Sequence, residues 1–226
     1  MSHPFQAEAD WDQYWTQKKR LTSRLYDLIA GFYRRWIIKK ALNRFMHKHF
    51  LSGAKLLHAG CGSGQVDVDL VQHFKITAMD TSKQALNLYK KVNQHQCSLV
   101  RGDIFAIPFL ACSFDGIYNL GVMEHFTETE IQKILSEFKR TLRVRGKIVL
   151  FWPPEFGLSV CFLKTLHFIL NKIFKKNVKL HPNEITRVRS LEHVKSIIEQ
   201  AGLEFVDYYF GSKDIFTQVM IVAQKK

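Results

Sequence analysis

The chain has 226 residues, 46% of them hydrophobic and 13% aromatic, and its 33 Lys+Arg against 20 Asp+Glu leave a net charge of +13. That apolar fraction excludes a chain disordered throughout, and the length suits one or two domains. Cys61, Cys97, Cys112 and Cys161 stand too far apart for a metal-knuckle pair, so no metal site is expected and the thiols read as reduced and intracellular.

Met1 to Arg20 is polar and aromatic, with no apolar stretch leading to a cleavage site, which predicts a cytoplasmic location rather than secretion. Gln17 to His49 holds ten Lys/Arg and one acid. Leu21, Leu25, Leu28, Ile29, Phe32 and Trp36 recur there at helical spacing, so residues 1–50 read as an N-terminal helical extension. From residue 51 the pattern becomes short apolar runs alternating with helical ones. Ala54 to Ala59 reads as a strand ending in glycines, Gln65 to Phe74 as a helix, and Lys75 to Met79 as a second strand. Thr81-x-x-Gln84 fits a capping box opening a helix to about Val92. Cys97 to Arg101 and Phe114 to Leu120 follow as strands, and Thr127-x-x-Glu130 caps a helix to about Leu142. The fifth strand, Lys147 to Trp152, stops at Pro153-Pro154.

Residues 153–190 are too many for an ordinary connection and read as a cap or lid inserted beside the sheet's ligand-binding edge. Their apolar run, Phe156 to Phe174, is interrupted by Lys164, His167, Asn171 and Lys172, which argues against a transmembrane span. Lys164 to Arg189 carries seven Lys/Arg and one acid. Ser190 to Ala201 reads as a helix closed by Gly202, and Glu204 to Phe210 with Thr217 to Ala223 as a final hairpin. Residues 51–226 are thus expected to form one α/β domain with a Rossmann-like, doubly wound, mostly parallel sheet. The two basic segments account for the whole charge excess. They suit either peripheral contact with an anionic membrane face or helices packed on the domain with a solvated charged side. No helix-turn-helix, zinc finger or RNP-like motif supports a nucleic-acid partner.

The chemistry concentrates in Lys55-Leu-Leu-His-Ala-Gly60-Cys-Gly62-Ser-Gly64-Gln, a strand running into alternating glycines, where the backbone can turn tightly and approach a ligand. Gln65 occupies the place of the third glycine of a dinucleotide fingerprint, which disfavours nicotinamide or flavin. Asp80 ends the second strand, where a carboxylate can accept both hydroxyls of a ribose. Asp103 follows the third strand, with Ile104 next to it. The fourth runs Phe114-Asp-Gly-Ile-Tyr-Asn119-Leu-Gly-Val-Met-Glu124-His125.

In this order, over residues 50 to 152, the chain resembles the class I S-adenosylmethionine-dependent methyltransferases, in particular the small-molecule branch that includes ubiquinone and menaquinone biosynthesis enzymes. The resemblance implies a seven-stranded sheet whose final strand is antiparallel and inserted between two others. It implies that Gly60, Cys61, Gly62 and Gly64 lie under the methionine part of S-adenosylmethionine, that Asp80 and Thr81 hold the ribose, that Asp103 and Ile104 hold adenine, and that Asn119 and Leu120 touch the cofactor. His58 stands where the family usually has an acid that helps hold the cofactor's ammonium. Tyr26-Asp27-Leu-Ile-Ala30-Gly-Phe-Tyr33 resembles a segment that closes over the cofactor in the quinone-pathway enzymes, with Arg34 replacing its second acid. The reading preferred over direct cofactor contact is an amphipathic helix with core aromatics.

Methyl transfer to a phenol, enol or alcohol needs a base. His125, with Glu124 beside it, is the first candidate, the other reading being that both anchor the loop. His167 and His181 are further candidates. No N-P-P-Y-like sequence follows the fourth strand, which argues against amide or nucleobase-amine acceptors. The expected function is methylation of a small, lipophilic acceptor, with S-adenosylhomocysteine as product. The alternatives are a methyltransferase of a soluble metabolite or RNA, and an inactive cofactor-binding relative.

Overall fold

The computed structural model describes residues 11, 12, 15, 31–94, 97–155 and 184–226. Seven strands form one sheet: β1 (Lys55–Ala59), β2 (Lys75–Asp80), β3 (Ser98–Arg101), β4 (Phe114–Leu120), β5 (Leu142–Trp152), β6 (Glu204–Tyr209) and β7 (Val219–Gln224). Their order is β3-β2-β1-β4-β5-β7-β6. The pairs β1–β2, β1–β4, β2–β3 and β4–β5 are parallel, whereas β7 runs antiparallel between β5 and β6, as the resemblance implies. Strand order reverses at β1 and β4, and a crevice beyond the C-terminal ends of parallel strands at such a point is where ligands settle.

Alternation along the strands divides the core. Ile148, Leu150 and Trp152 of β5 join Leu57, Ile117, Val219 and Ile221 on one face, under Ile131, Ile134, Leu135 and Phe138 of α3 (Glu128–Thr141) and Val194, Ile197 and Ile198 of α4 (Leu191–Gln200). Val149 and Phe151 point the other way, with Leu56, Tyr118, Met220 and Val222, to meet Leu42, Phe45 and Met46 of α1 (Lys39–His49). The C-terminal part of the N-terminal extension is therefore one of the layers covering the sheet. It is preceded by a π-helical turn, Arg34–Ile38, and Tyr33 hydrogen-bonds Thr217 near the other end of the chain.

Thr127 and Glu130 form the expected reciprocal capping box of α3. The box expected at Thr81 and Gln84 does not form: because Thr81 is still in the bend that follows Asp80, Ser82 caps α2 (Lys83–Asn93) instead, accepting from the Ala85 N–H, and Ala85 has no polar side chain to return the bond. Gln65 to Phe74 is not a helix but a series of turns with one short 3-10 segment, Leu70–Gln72. Asp67 in the middle of that stretch turns its carboxylate inward onto His58 and Tyr89, an orientation that outweighs the helical spacing of the apolar residues. Residues 156–183, which include the apolar run and His167 and His181, lie outside the described residues, as do residues 16–30 with the Tyr26 to Ala30 part of the second motif. Among the described residues no helix is long and apolar enough to cross a membrane, and no group of His, Cys, Asp and Glu could hold a metal ion.

Candidate functional site

The turn after β1 is built by three glycines with left-handed backbones, Gly60 (φ 73°), Gly62 (φ 51°) and Gly64 (φ 67°). A side chain on any of them would be strained by conformation, and each also has a neighbour at close range. A Cβ on Gly60 would stand 2.7 Å from Val122, one on Gly62 3.2 Å from the Trp15 ring, and one on Gly64 2.3 Å from Tyr89. The Gly60 and Cys61 N–H groups both donate to the Met79 carbonyl, at 2.8 and 3.0 Å, which pins the start of the turn to the end of β2.

Asp80 closes the other side. Its Oδ2 accepts from the Gly62 N–H and its Oδ1 from the Ser82 N–H, both at 2.9 Å. Burial raises its pKa above the ordinary carboxylate range, and the two N–H donors oppose that rise. Each oxygen keeps a second lone pair for a hydroxyl donor. Thr81 follows, its carbonyl accepting from the Arg101 guanidinium. The Cys61 thiol is buried beside this carboxylate, and burial pushes its pKa well up, so it stays protonated.

At the end of β3, Asp103 accepts the Phe105 N–H at Oδ1 (2.9 Å) in a tight turn and its Oδ2 has no partner among the described residues, while Ile104 is buried behind it. At the end of β4, Asn119 is fully buried with neither amide atom hydrogen-bonded, and Leu120 is half-buried. Such unpaired buried polar atoms are costly and mark a place where a ligand's polar edge can be accepted. The loop beyond β4 carries Glu124 and His125 in a 3-10 turn, Met123–His125. Glu124 is buried. Its carbonyl accepts the Ile185 and Thr186 N–H groups, tying the loop to the segment before α4, and burial pushes its pKa up to about 8. His125 is half-buried, its ring in edge contact with Trp11 at 5.1 Å between centroids.

Three N-terminal residues that sequence reasoning passed over thus meet the same region. Trp11 touches His125, Asp12 accepts the Ser82 hydroxyl at 2.5 Å, and Trp15 lies against Gly62. The signal available was the Trp11/Trp15 pair, four residues apart and so on one face of a helical turn. His58 is the other surprise. It is buried at 2% exposure, its Nδ1 is 2.6 Å from Asp67 Oδ2, and it stacks on Tyr118 at 4.3 Å. No acid stands at position 58, and the carboxylate of Asp67 lies against the histidine found there.

Comparison with known proteins bears on the family and the fold. Residues 57–150 match the family described as a methyltransferase domain. A protein of Encephalitozoon cuniculi, named as a candidate methyltransferase, is 28% identical over 141 residues, covering 59% of this chain and 62% of its own length. A biotin biosynthesis bifunctional protein of Teredinibacter turnerae is 30% identical over 174 residues, 69% of this chain and 27% of that one. This chain therefore spans less than two thirds of both relatives. Among solved structures, a magnesium protoporphyrin IX methyltransferase of Synechocystis with bound S-adenosylhomocysteine superposes with a TM-score of 0.66 at 15% identity, covering 96% of this chain and 95% of that one.

Proposed function

With residues 57–150 belonging to the methyltransferase-domain family and the sheet wound as in the class I S-adenosylmethionine-dependent enzymes, we propose that this chain uses S-adenosylmethionine to methylate a small, lipophilic acceptor. The observation that carries the reading is the half-buried Asp80 carboxylate, held against the three-glycine turn with an acceptor site left on each oxygen. The residues present fit the cofactor. The glycine turn has left-handed backbone that a side chain would strain, and the unpaired Asn119 amide offers a donor and an acceptor at the next strand end.

The cofactor supplies a sulfonium methyl with a neutral leaving group, so the protein's work is alignment and exclusion of water. Gly60, Cys61, Gly62 and Gly64 bring the backbone under the methionine part, Asp80 and Thr81 take the ribose, Asp103 and Ile104 the adenine, and Asn119 and Leu120 bound the site from β4. His125, braced by Trp11, takes the acceptor's proton. Burial keeps most of the Glu124 carboxyl protonated near pH 7, so in this reading it can donate a hydrogen bond while its backbone carbonyl holds the loop. His125→Ala should slow turnover by roughly 100-fold, with cofactor affinity unchanged by calorimetry. An equal loss of affinity would make His125 a structural residue.

A specific observation favours the lipophilic acceptor and contact with a membrane face. Phe32 (62% exposed) and Trp36 (53%) project from the turn before α1, beside the loop that exposes Ile215 and Phe216. Tyr33 and Thr217 join the two segments. Lys40 lies over the Trp36 ring, and Arg35 and Lys213 stand in the same two segments, a combination of cations and exposed apolar side chains that suits anionic lipid. The double variant Trp36→Ser, Phe216→Ser should bind anionic vesicles about tenfold more weakly in co-sedimentation. Equal pelleting of both proteins would remove the membrane part of the reading. Transfer of tritiated methyl into lipid rather than aqueous extracts tests the acceptor. Label only in the aqueous fraction would favour a soluble metabolite.

A further inference from the structure

Behind the glycine turn lies a buried polar group that the reading above does not use. His58 at the end of β1, Asp67 from the turns that follow, Tyr89 from α2 and Tyr118 from β4 converge there, all 2% exposed or less. Asp67 Oδ2 is 2.6 Å from His58 Nδ1 and accepts the Tyr89 hydroxyl at 2.6 Å. Among the described residues no well-formed hydrogen bond reaches Asp67 Oδ1 or the Tyr118 hydroxyl, although that hydroxyl lies near enough to Asp67 for the carboxylate to raise its pKa. A carboxylate this deep is costly to keep unless its charge is used.

Two features point that charge at the cradle. With the carboxylate accepting from Nδ1–H, the imidazole is fixed in the tautomer whose Nε2 is an acceptor, and Nε2 has no partner among the described residues. The carboxylate is also close enough to the cradle for its charge to act on the Cys61 thiol in the glycine turn, where it adds to the rise in that thiol's pKa. We propose that Asp67, acting through His58, forms the subsite for the cofactor's ammonium group: Nε2 accepts the ammonium N–H, and the buried carboxylate balances its charge. His58 is then the contact and Asp67 the positioning residue. The inference rests on the cofactor reading given above and adds a residue, Asp67, that lies seven positions beyond the first glycine.

The test is calorimetry on the full chain with S-adenosylhomocysteine and with its deaminated analogue, which keeps the carboxylate and lacks the ammonium. Asp67→Asn should raise the Kd for S-adenosylhomocysteine by at least roughly tenfold and leave that of the deaminated analogue within about twofold. Because Asp67 is buried, His58→Gln serves as a second variant with the same selective loss expected, and the double variant His58→Glu, Asp67→Asn, which places the single charge directly, should retain affinity. Equal weakening of both ligands would mean that the pair only supports the turn, and an unchanged Kd for S-adenosylhomocysteine would mean that it is irrelevant; either result overturns the proposal. If neither ligand binds the unaltered chain, the cofactor reading itself falls, and this one with it.

Discussion

Asp80→Ala should raise the Kd for S-adenosylhomocysteine by at least roughly 100-fold, because two charge-assisted hydrogen bonds to hydroxyls, each worth about 1.5–3 kcal/mol, disappear together. The same change releases the Gly62 and Ser82 N–H groups, so the glycine turn loses its tie to the start of α2 as well as its ligand contact. Asp80→Asn separates the two effects. Its amide oxygen can still accept one backbone N–H, but its amide nitrogen faces the other with donor against donor and offers the ribose one acceptor fewer. An affinity between those of the unaltered chain and the alanine variant is therefore expected. Acid should act in the same direction. Burial already raises the Asp80 pKa, so protonation, and with it loss of binding, sets in at higher pH than for an exposed aspartate. Calorimetry across pH reads all three. Undiminished affinity in Asp80→Ala would remove the cradle from the binding site.

The strands were legible because their apolar runs are short and bounded by Gly, Pro or polar turns. Phe114–Leu120 matches the expected bounds, and the other strands differ from them by a residue or so, apart from β5, whose pairing begins at Leu142, before the irregular Arg145-Gly146 bend. The site's acids were legible for a related reason: Asp80 and Asp103 follow strands directly, where the strand-end rule puts ligand contacts. Two things were hidden. Gln65 to Phe74 has helical spacing, but periodicity carries no information about where a carboxylate goes, and Asp67 is committed to His58 and Tyr89 by contacts that exist only after β1, α2 and β4 assemble. Trp11, Asp12 and Trp15 reach the cradle across 47 or more residues of sequence, Trp15 meeting Gly62 and Asp12 meeting Ser82, and no local pattern specifies such a return.

Glu124→Gln should make the protein more stable at pH 8 and flatten its stability between pH 5 and 8. The folded chain holds Glu124 protonated up to about pH 8, against an ordinary value of 4.5. Burial is the main cause, reinforced by nearby Glu184 and opposed by the residue's own backbone N–H and by Arg187. Below the unfolded value the carboxyl is neutral in both states and contributes no penalty. As pH rises from there towards the folded value, only the unfolded chain releases its proton, so folding loses about 1.4 kcal/mol per pH unit. Above pH 8 the loss levels off, at about 3–5 kcal/mol in total. Glutamine has the same shape and no proton to lose. It leaves the backbone carbonyl free to hold Ile185 and Thr186 as before, and it replaces one unpaired buried polar atom, Oε2, by another. Urea melts at unit steps of pH measure the slope directly. A slope identical in the two proteins would show that the Glu124 carboxyl reaches water, and it would then be available as a base beside His125.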